Sequence, residues 1–109
     1  MAYDEGAAET MREDLADLDG LTERRMFGGL CFLWHGHMLC GIHARGAMYR
    51  VGKASEPAAL AIPGARPMDF TGRKMGGIIE TDLEVLADDA ARATWLGLAK
   101  NFVTTLPPK

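Results

Sequence analysis

Apolar and polar positions keep two different periods along this chain. Between residues 4 and 18, Met11, Leu15 and Leu18 recur at i, i+4 and i+7, with Ala7 and Ala8 one turn earlier. That is the stripe of one helix face, so the spacing predicts a helix over 4–18. Acidic residues near its start suit the positive end of the helix dipole, and Gly20 supplies a stop. Beyond Gly20 the period shortens. Leu30–Trp34 and Met38–Ala44 are apolar runs around His35-Gly36-His37, and Met48–Val51 follows Arg45-Gly46. A two-residue turn at His35-Gly36 puts glycine where a type I′ turn needs positive φ. It pairs Trp34 with His37, Leu33 with Met38, Phe32 with Leu39 and Cys31 with Cys40. A second turn at Arg45-Gly46 pairs Ala44 with Ala47 and Ile42 with Tyr49, completing a three-stranded antiparallel meander.

In that register one face carries Cys31, Leu33, Met38, Cys40, Ile42, Tyr49 and Val51 and is the expected core. The other carries Phe32, Trp34, His37, Leu39, His43, Met48 and Arg50, a mixed surface suited to contact. Gly28-Gly29, at the start of the first strand, predicts a bulge or a close backbone approach. A strand rather than a helix follows these glycines, which argues against a phosphate loop. Residues 54–61 suit a short helix, with Ser55 as cap and Pro57 in its first turn. Met68-Asp69-Phe70 and Lys74–Glu80 predict a second hairpin around Thr71-Gly72-Arg73, made irregular by Gly76-Gly77. Asp82 or Asp88 caps a last helix whose stripe is Ala91, Trp95, Leu98, Ala99 and Phe102. The expected fold class is α+β: an antiparallel sheet of about five strands, a meander plus a second hairpin, packed with an N-terminal and a C-terminal helix.

Composition narrows the class. At 109 residues the chain is expected to be a single domain over 1–109, large enough for a core without metal or disulfide staples. No apolar run approaches the roughly 20 residues of a membrane span, and no signal-peptide core opens the sequence, so a cytoplasmic location is expected. The net charge of −3 is unevenly spread. Residues 1–20 hold seven acids and one base, residues 21–79 eight bases and three acids, and residues 80–109 five acids and three bases. A basic middle between acidic ends either meets an acidic partner or nucleic acid, or is partly neutralised by its own helices.

The order of parts is recognisable from Arg25-Met26-Phe27-Gly28-Gly29, the glycine-turned hairpin to Met38-Leu39-Cys40-Gly41-Ile42, the strand Met48-Tyr49-Arg50-Val51, the segment Pro67-Met68-Asp69-Phe70 and the helix around Trp95. With these features the chain resembles the TfoX/Sxy amino-terminal domain family over roughly residues 8–105. The resemblance implies an α+β fold with an antiparallel sheet and packed helices. It also implies kinship with bacterial regulators of natural competence genes that act with another transcription factor. Longer members carry a carboxy-terminal domain resembling helix-hairpin-helix modules, so this chain is expected to be a stand-alone version lacking that half. The resemblance brings no catalytic residues.

The residues themselves offer few reactive sets. Cys31 and Cys40, opposed across the meander, make either a redox couple or two small core residues. His35, His37 and His43 match no standard metal-ligand spacing, and the predicted faces separate His37 and His43 from the cysteines. The same separation argues against a Cys-His catalytic pair. Glu80 and Asp82 could do acid-base work at a strand end, with surface charge and capping as the simpler roles. No catalytic, cofactor or metal residue is therefore assigned. Phe32, Trp34, His37 and Arg50 are the candidate interaction surface, and Arg24 and Arg25 the candidate anion contacts, with pairing to the acidic first helix as their alternative. The expected function is a non-enzymatic regulatory module acting by protein contact on a transcription regulator or on a second copy of itself. The alternatives are a nucleic-acid-binding accessory protein using Arg24, Arg25, Arg45, Arg50, Arg73 and Lys74, and a small-molecule-binding domain.

Overall fold

The computed structural model describes residues 3–26, 28–70 and 72–107. Along the chain these form α1 (Glu5–Asp14), β1 (Leu21–Met26), β2 (Gly29–Trp34), β3 (His37–His43), β4 (Gly46–Arg50), α2 (Glu56–Leu60), β5 (Ala65–Phe70), β6 (Arg73–Asp82) and α3 (Asp89–Val103). Single 3₁₀ turns at Lys53–Ser55 and Glu84–Ala87 precede α2 and α3. The strands make one antiparallel sheet in the order β1-β2-β3-β4-β6-β5. The fold is α+β, with six strands rather than about five. Phe27 of the Met-Phe-Gly-Gly signature and Thr71 of the second hairpin lie outside the described residues, as do the side chains of Arg73 and Lys74.

Local signals set most of the ends. Asp4 accepts a hydrogen bond from the Ala7 N–H at 2.8 Å and starts α1. The helix stops at Asp14, short of the expected residue 18, and Leu15–Leu18 continue as a turn that still buries Leu15. Asp88 starts α3 in the same way, accepting from the Ala91 N–H at 3.1 Å. Ser55 stands at the N-cap of α2 without a side-chain bond, so its expected capping role is not realised; Pro57 does occupy the first turn.

Two hairpins depart from the sequence expectation, each for a physical reason. His35 (φ 47°) and Gly36 (φ 89°) form the predicted two-residue turn, with Trp34 opposite His37 and Leu33 opposite Met38. The ladder then shifts: Phe32 faces Cys40, Cys31 faces Gly41 and Leu30 faces Ile42. Leu39 is the extra residue of a β-bulge. Because side chains alternate with period two, one unpaired residue exchanges the faces of everything beyond it. Cys31 therefore does not oppose Cys40. In the next hairpin His43 pairs with Gly46, so Ala44-Arg45 rather than Arg45-Gly46 makes the turn, and Ile42 faces Ala47 instead of Tyr49. Gly46 is held in the ladder beside β6, where a Cβ would sit 1.9 Å from the Thr81 carbonyl oxygen. At Gly29 a Cβ would sit 2.0 Å from the Ile42 carbonyl oxygen, which is the close approach expected of the double glycine.

The helices cover one face of the sheet. Phe32, Leu39, Cys40, Ile42, Ala47, Tyr49, Val51 and Ile79 pack there against Ala8, Met11, Leu15, Trp95, Ala99 and Val103. Trp95 is fully buried, donates from Nε1 to the Ala59 carbonyl at 3.1 Å and stacks on Tyr49 with ring centroids 5.9 Å apart. Burial of an aromatic of this size is worth about 3–5 kcal/mol against alanine. The opposite face is buried without a helix. Its cluster is Cys31, Leu33, Met38, Met48, Met68 and Ile78, flanked by Met26 and Met75. All six strands contribute to it, so the sheet closes this face with its own side chains.

Candidate functional site

The structure sorts the sequence-predicted residues into three places. Phe32 is buried beneath α1, where it lines a cleft of about 190 Å³ with Leu15, Leu21 and Thr22. His37 is also buried, and its Nε2 lies 2.6 Å from the Pro107 carbonyl oxygen. A carbonyl only accepts, so Nε2 carries the proton and ties the C-terminal segment to the hairpin. Neither residue belongs to an open contact surface. The misplaced face follows from the Leu39 bulge for Phe32, and from Pro107 for His37. Trp34 is half-buried at the hairpin tip, edge-on to the His35 ring with centroids 4.3 Å apart. It pairs with Leu21 at the start of β1. Arg24 and Arg25 are exposed on that same strand, opposite Cys31 and Leu30, and point to opposite faces. Arg24 and Arg25 thus lie on the edge strand β1, and Trp34 on β2 beside the start of that strand. Arg50 lies apart at the end of β4, its guanidinium 5.6 Å from the Phe102 ring centroid.

The expected pairing between α1 and the basic segment exists with its charges reversed. Arg12 of α1 donates to Glu23 of β1 at 2.8 and 3.0 Å. Among the described residues neither Arg24 nor Arg25 has an ion-pair partner.

A polar cluster forms where β3 turns into β4. Glu80 of β6 is buried, with 5% of its side chain exposed. Its Oε2 accepts from His43 Nε2 at 2.9 Å and from Arg45 Nη2 at 3.0 Å, and its Oε1 accepts from Arg66 Nε at 3.2 Å. Arg66 also pairs with Asp82, and Arg45 donates to the Asp69 carbonyl. The backbone N–H of Arg45 points at His43 Nδ1 at 3.1 Å. An amide can only donate, so Nδ1 is the acceptor and Nε2–H is the donor to Glu80. Burial pushes the His43 pKa down, the Arg45 charge adds to this, and Glu80 opposes both. The neutral imidazole fits that environment. Two arginines, two carboxylates and a neutral histidine sum to no net charge, and among the described residues no buried polar side-chain atom lacks a partner. Both ring nitrogens and both Glu80 oxygens are engaged, so this arrangement holds β3, β5 and β6 together rather than presenting a free base. Sequence reasoning noted Glu80 as a candidate acid or base but missed its partners. They lie 37, 35 and 14 positions away, where no local spacing reveals them.

The thiols sit in unreactive settings. Cys40 is fully buried on the helix-covered face and Cys31 on the opposite one. Burial pushes the Cys31 pKa up to about 11 and raises that of Cys40 as well. Among the described residues no three His, Cys, Asp or Glu side chains converge as metal ligands. No described helix is long and apolar enough to cross a membrane.

A six-stranded antiparallel sheet with all helices on one face, a glycine-turned first hairpin and a tryptophan-bearing last helix define the class: a small α+β domain. The TfoX N-terminal domain family matches residues 13–102, most of the chain, and the chain belongs to that family. Among curated proteins and among solved structures, none matches it.

Proposed function

We propose that this chain is a non-enzymatic regulatory module of the competence-regulator type that works by binding a protein partner along the β1 edge. The carrying observation is that β1 ends the sheet with four of its six residues exposed. The outer backbone groups of an edge strand are a template for an added strand. Arg24 and Arg25, without acidic partners among the described residues, favour a segment carrying Asp or Glu. Trp34, half-buried on β2 beside Leu21 of the edge strand, supplies an aromatic anchor. The engaged state of His43 and Glu80 and the raised thiol pKa values support a binding role over a catalytic one. Two bases of the middle segment, Arg45 and Arg66, are already held by Glu80, which favours a protein over nucleic acid.

The test uses the full chain as bait in native lysate beside an Arg24→Glu/Arg25→Glu variant of equal thermal stability. A specific transcription regulator retained by the native chain and reduced at least about tenfold by the variant is the expected result. Light scattering of the purified chain separates self-association from a different partner. Robust turnover of a small substrate, abolished by one polar substitution, would overturn the reading.

A further inference from the structure

Antiparallel alternation puts the C-terminal end of β4 at the opposite end of the sheet from the Glu80 cluster. There a cleft of about 410 Å³ opens between Arg50, Gly52, Lys53, Gly76, Gly77 and Phe102. Its size falls in the range of small-molecule sites, roughly 300–1,000 Å³. Its chemistry is cationic. Arg50 and Lys53 both line it, no carboxylate side chain does, and among the described residues neither cation has an ion-pair partner. The nearby Glu56 carboxylate is turned to the Gly77 N–H at 3.1 Å.

The remaining lining residues keep the space open and the arginine in place. Phe102 lies under the Arg50 guanidinium, which leaves the edge N–H groups free to donate in the guanidinium plane. A Cβ at Gly52 would meet Phe102 at 2.6 Å, so only glycine lets that ring lie flat on the chain. A Cβ at Gly76 would approach Lys53 Cε at 3.1 Å, so a larger side chain there would crowd the lysine and fill the cleft. A guanidinium fork and a mobile ammonium across one cleft match a dianion: the arginine bridges two oxygens and the lysine acts as a point charge.

We infer that this cleft binds a small organic phosphate, with the phosphomonoester group between Arg50 and Lys53 and the organic part along the glycine-lined wall. A cleft of this volume has room for more than the phosphate itself. The site is separate from the β1 edge, so the inference stands whether or not that edge takes a protein partner.

Calorimetric titration of the full chain tests it. The probes are adenosine monophosphate and glucose 6-phosphate, with adenosine, glucose and inorganic phosphate as controls. At least one phosphomonoester is expected to bind saturably, more tightly than inorganic phosphate, and its parent compound not at all. Raising the salt from about 0.05 to 0.3 M should weaken that binding several-fold, since exposed charges are screened. Lys53→Glu, at an exposed position that leaves the fold intact, should weaken it by more than about tenfold, and Arg50→Gln by about five- to tenfold. Gly76→Val should abolish it with both cations still present. Absence of saturable binding by either phosphomonoester, or binding unchanged by Lys53→Glu and Gly76→Val, overturns the proposal.

Discussion

The two ends of the central strands use arginine in opposite ways. Where β3 turns into β4, Arg45 and Arg66 close on the buried Glu80, and His43 completes its set of donors. Where β4 ends, Arg50 lies on an aromatic ring with Lys53 nearby, and among the described residues neither pairs with a carboxylate. The same residue type is a clasp at one end and an open hand at the other. Burial of the carboxylate decides which. A buried Glu80 needs its donors, because an unpaired charge there costs several kcal/mol. An exposed or half-exposed cation needs nothing, so its position is available for a ligand or partner. Charge count along the sequence cannot separate the two cases, since all four bases belong to the same basic middle segment.

The sharpest way to break this contrast is to remove the carboxylate. Glu80→Ala leaves the His43 N–H without its acceptor, takes one of two acceptors from each of Arg45 and Arg66, and should cost about 2–4 kcal/mol by urea denaturation. That range sits below the full cost of breaking a buried pair because Arg45 and Arg66 reach solvent, at 56% and 37% side-chain exposure. Lys53→Gln at the other end should stay within about 0.5 kcal/mol. Equal losses at the two ends would erase the distinction.

A smaller effect sharpens it further. The folded-state pKa of His43 is lowered from 6.5, so the unfolded chain binds its proton first as pH falls. Stability from the neutral imidazole is therefore complete above about pH 6.5 and is lost as pH falls through the lowered folded-state value. His43→Gln keeps a donor for Glu80 and does not titrate. Melting curves from pH 8 to 5 should show a steeper acid-side fall for the native chain than for this variant. Parallel curves would mean that the imidazole is not held neutral. The least perturbing test concerns the thiols. With both cysteines buried and Cys31 pushed up to about 11, a thiol reagent at pH 8 should label neither until urea unfolds the chain. Prompt labelling of Cys31 would show the helix-free face to be open.

Much of the fold was legible because its determinants are local. Ala91, Trp95 and Ala99 of the last helix stripe, Asp88 as one of two candidate caps, the His35-Gly36 turn and the close approach at Gly29 each rest on local signals, whereas Leu96 and Val103 are buried in that helix in place of Leu98 and Phe102. β1 was not legible: Thr22-Glu23-Arg24-Arg25 has no apolar alternation, and its pairing with β2 rather than its own burial makes it a strand. The second turn was misplaced because Arg45-Gly46 carries a turn signal, while Gly46 is needed where β4 meets β6. Of the candidate surface, Phe32 and His37 went inside and Arg50 lies apart at the end of β4, which leaves Trp34 at the hairpin tip; the candidate anion contacts Arg24 and Arg25 lie on the neighbouring strand β1. The Glu80 cluster joins residues brought near one another only by the sheet order, so its parts were visible and its assembly was not.

Leu39 carries a consequence beyond packing. With that residue bulged out of the ladder, the two sulfur atoms belong to different clusters on opposite faces of the sheet. Let the strand slip by one position and the cysteines would meet across it, with no change in composition. Oxidant then becomes a reporter of alignment: any internal crosslink that forms counts the molecules that paired out of step.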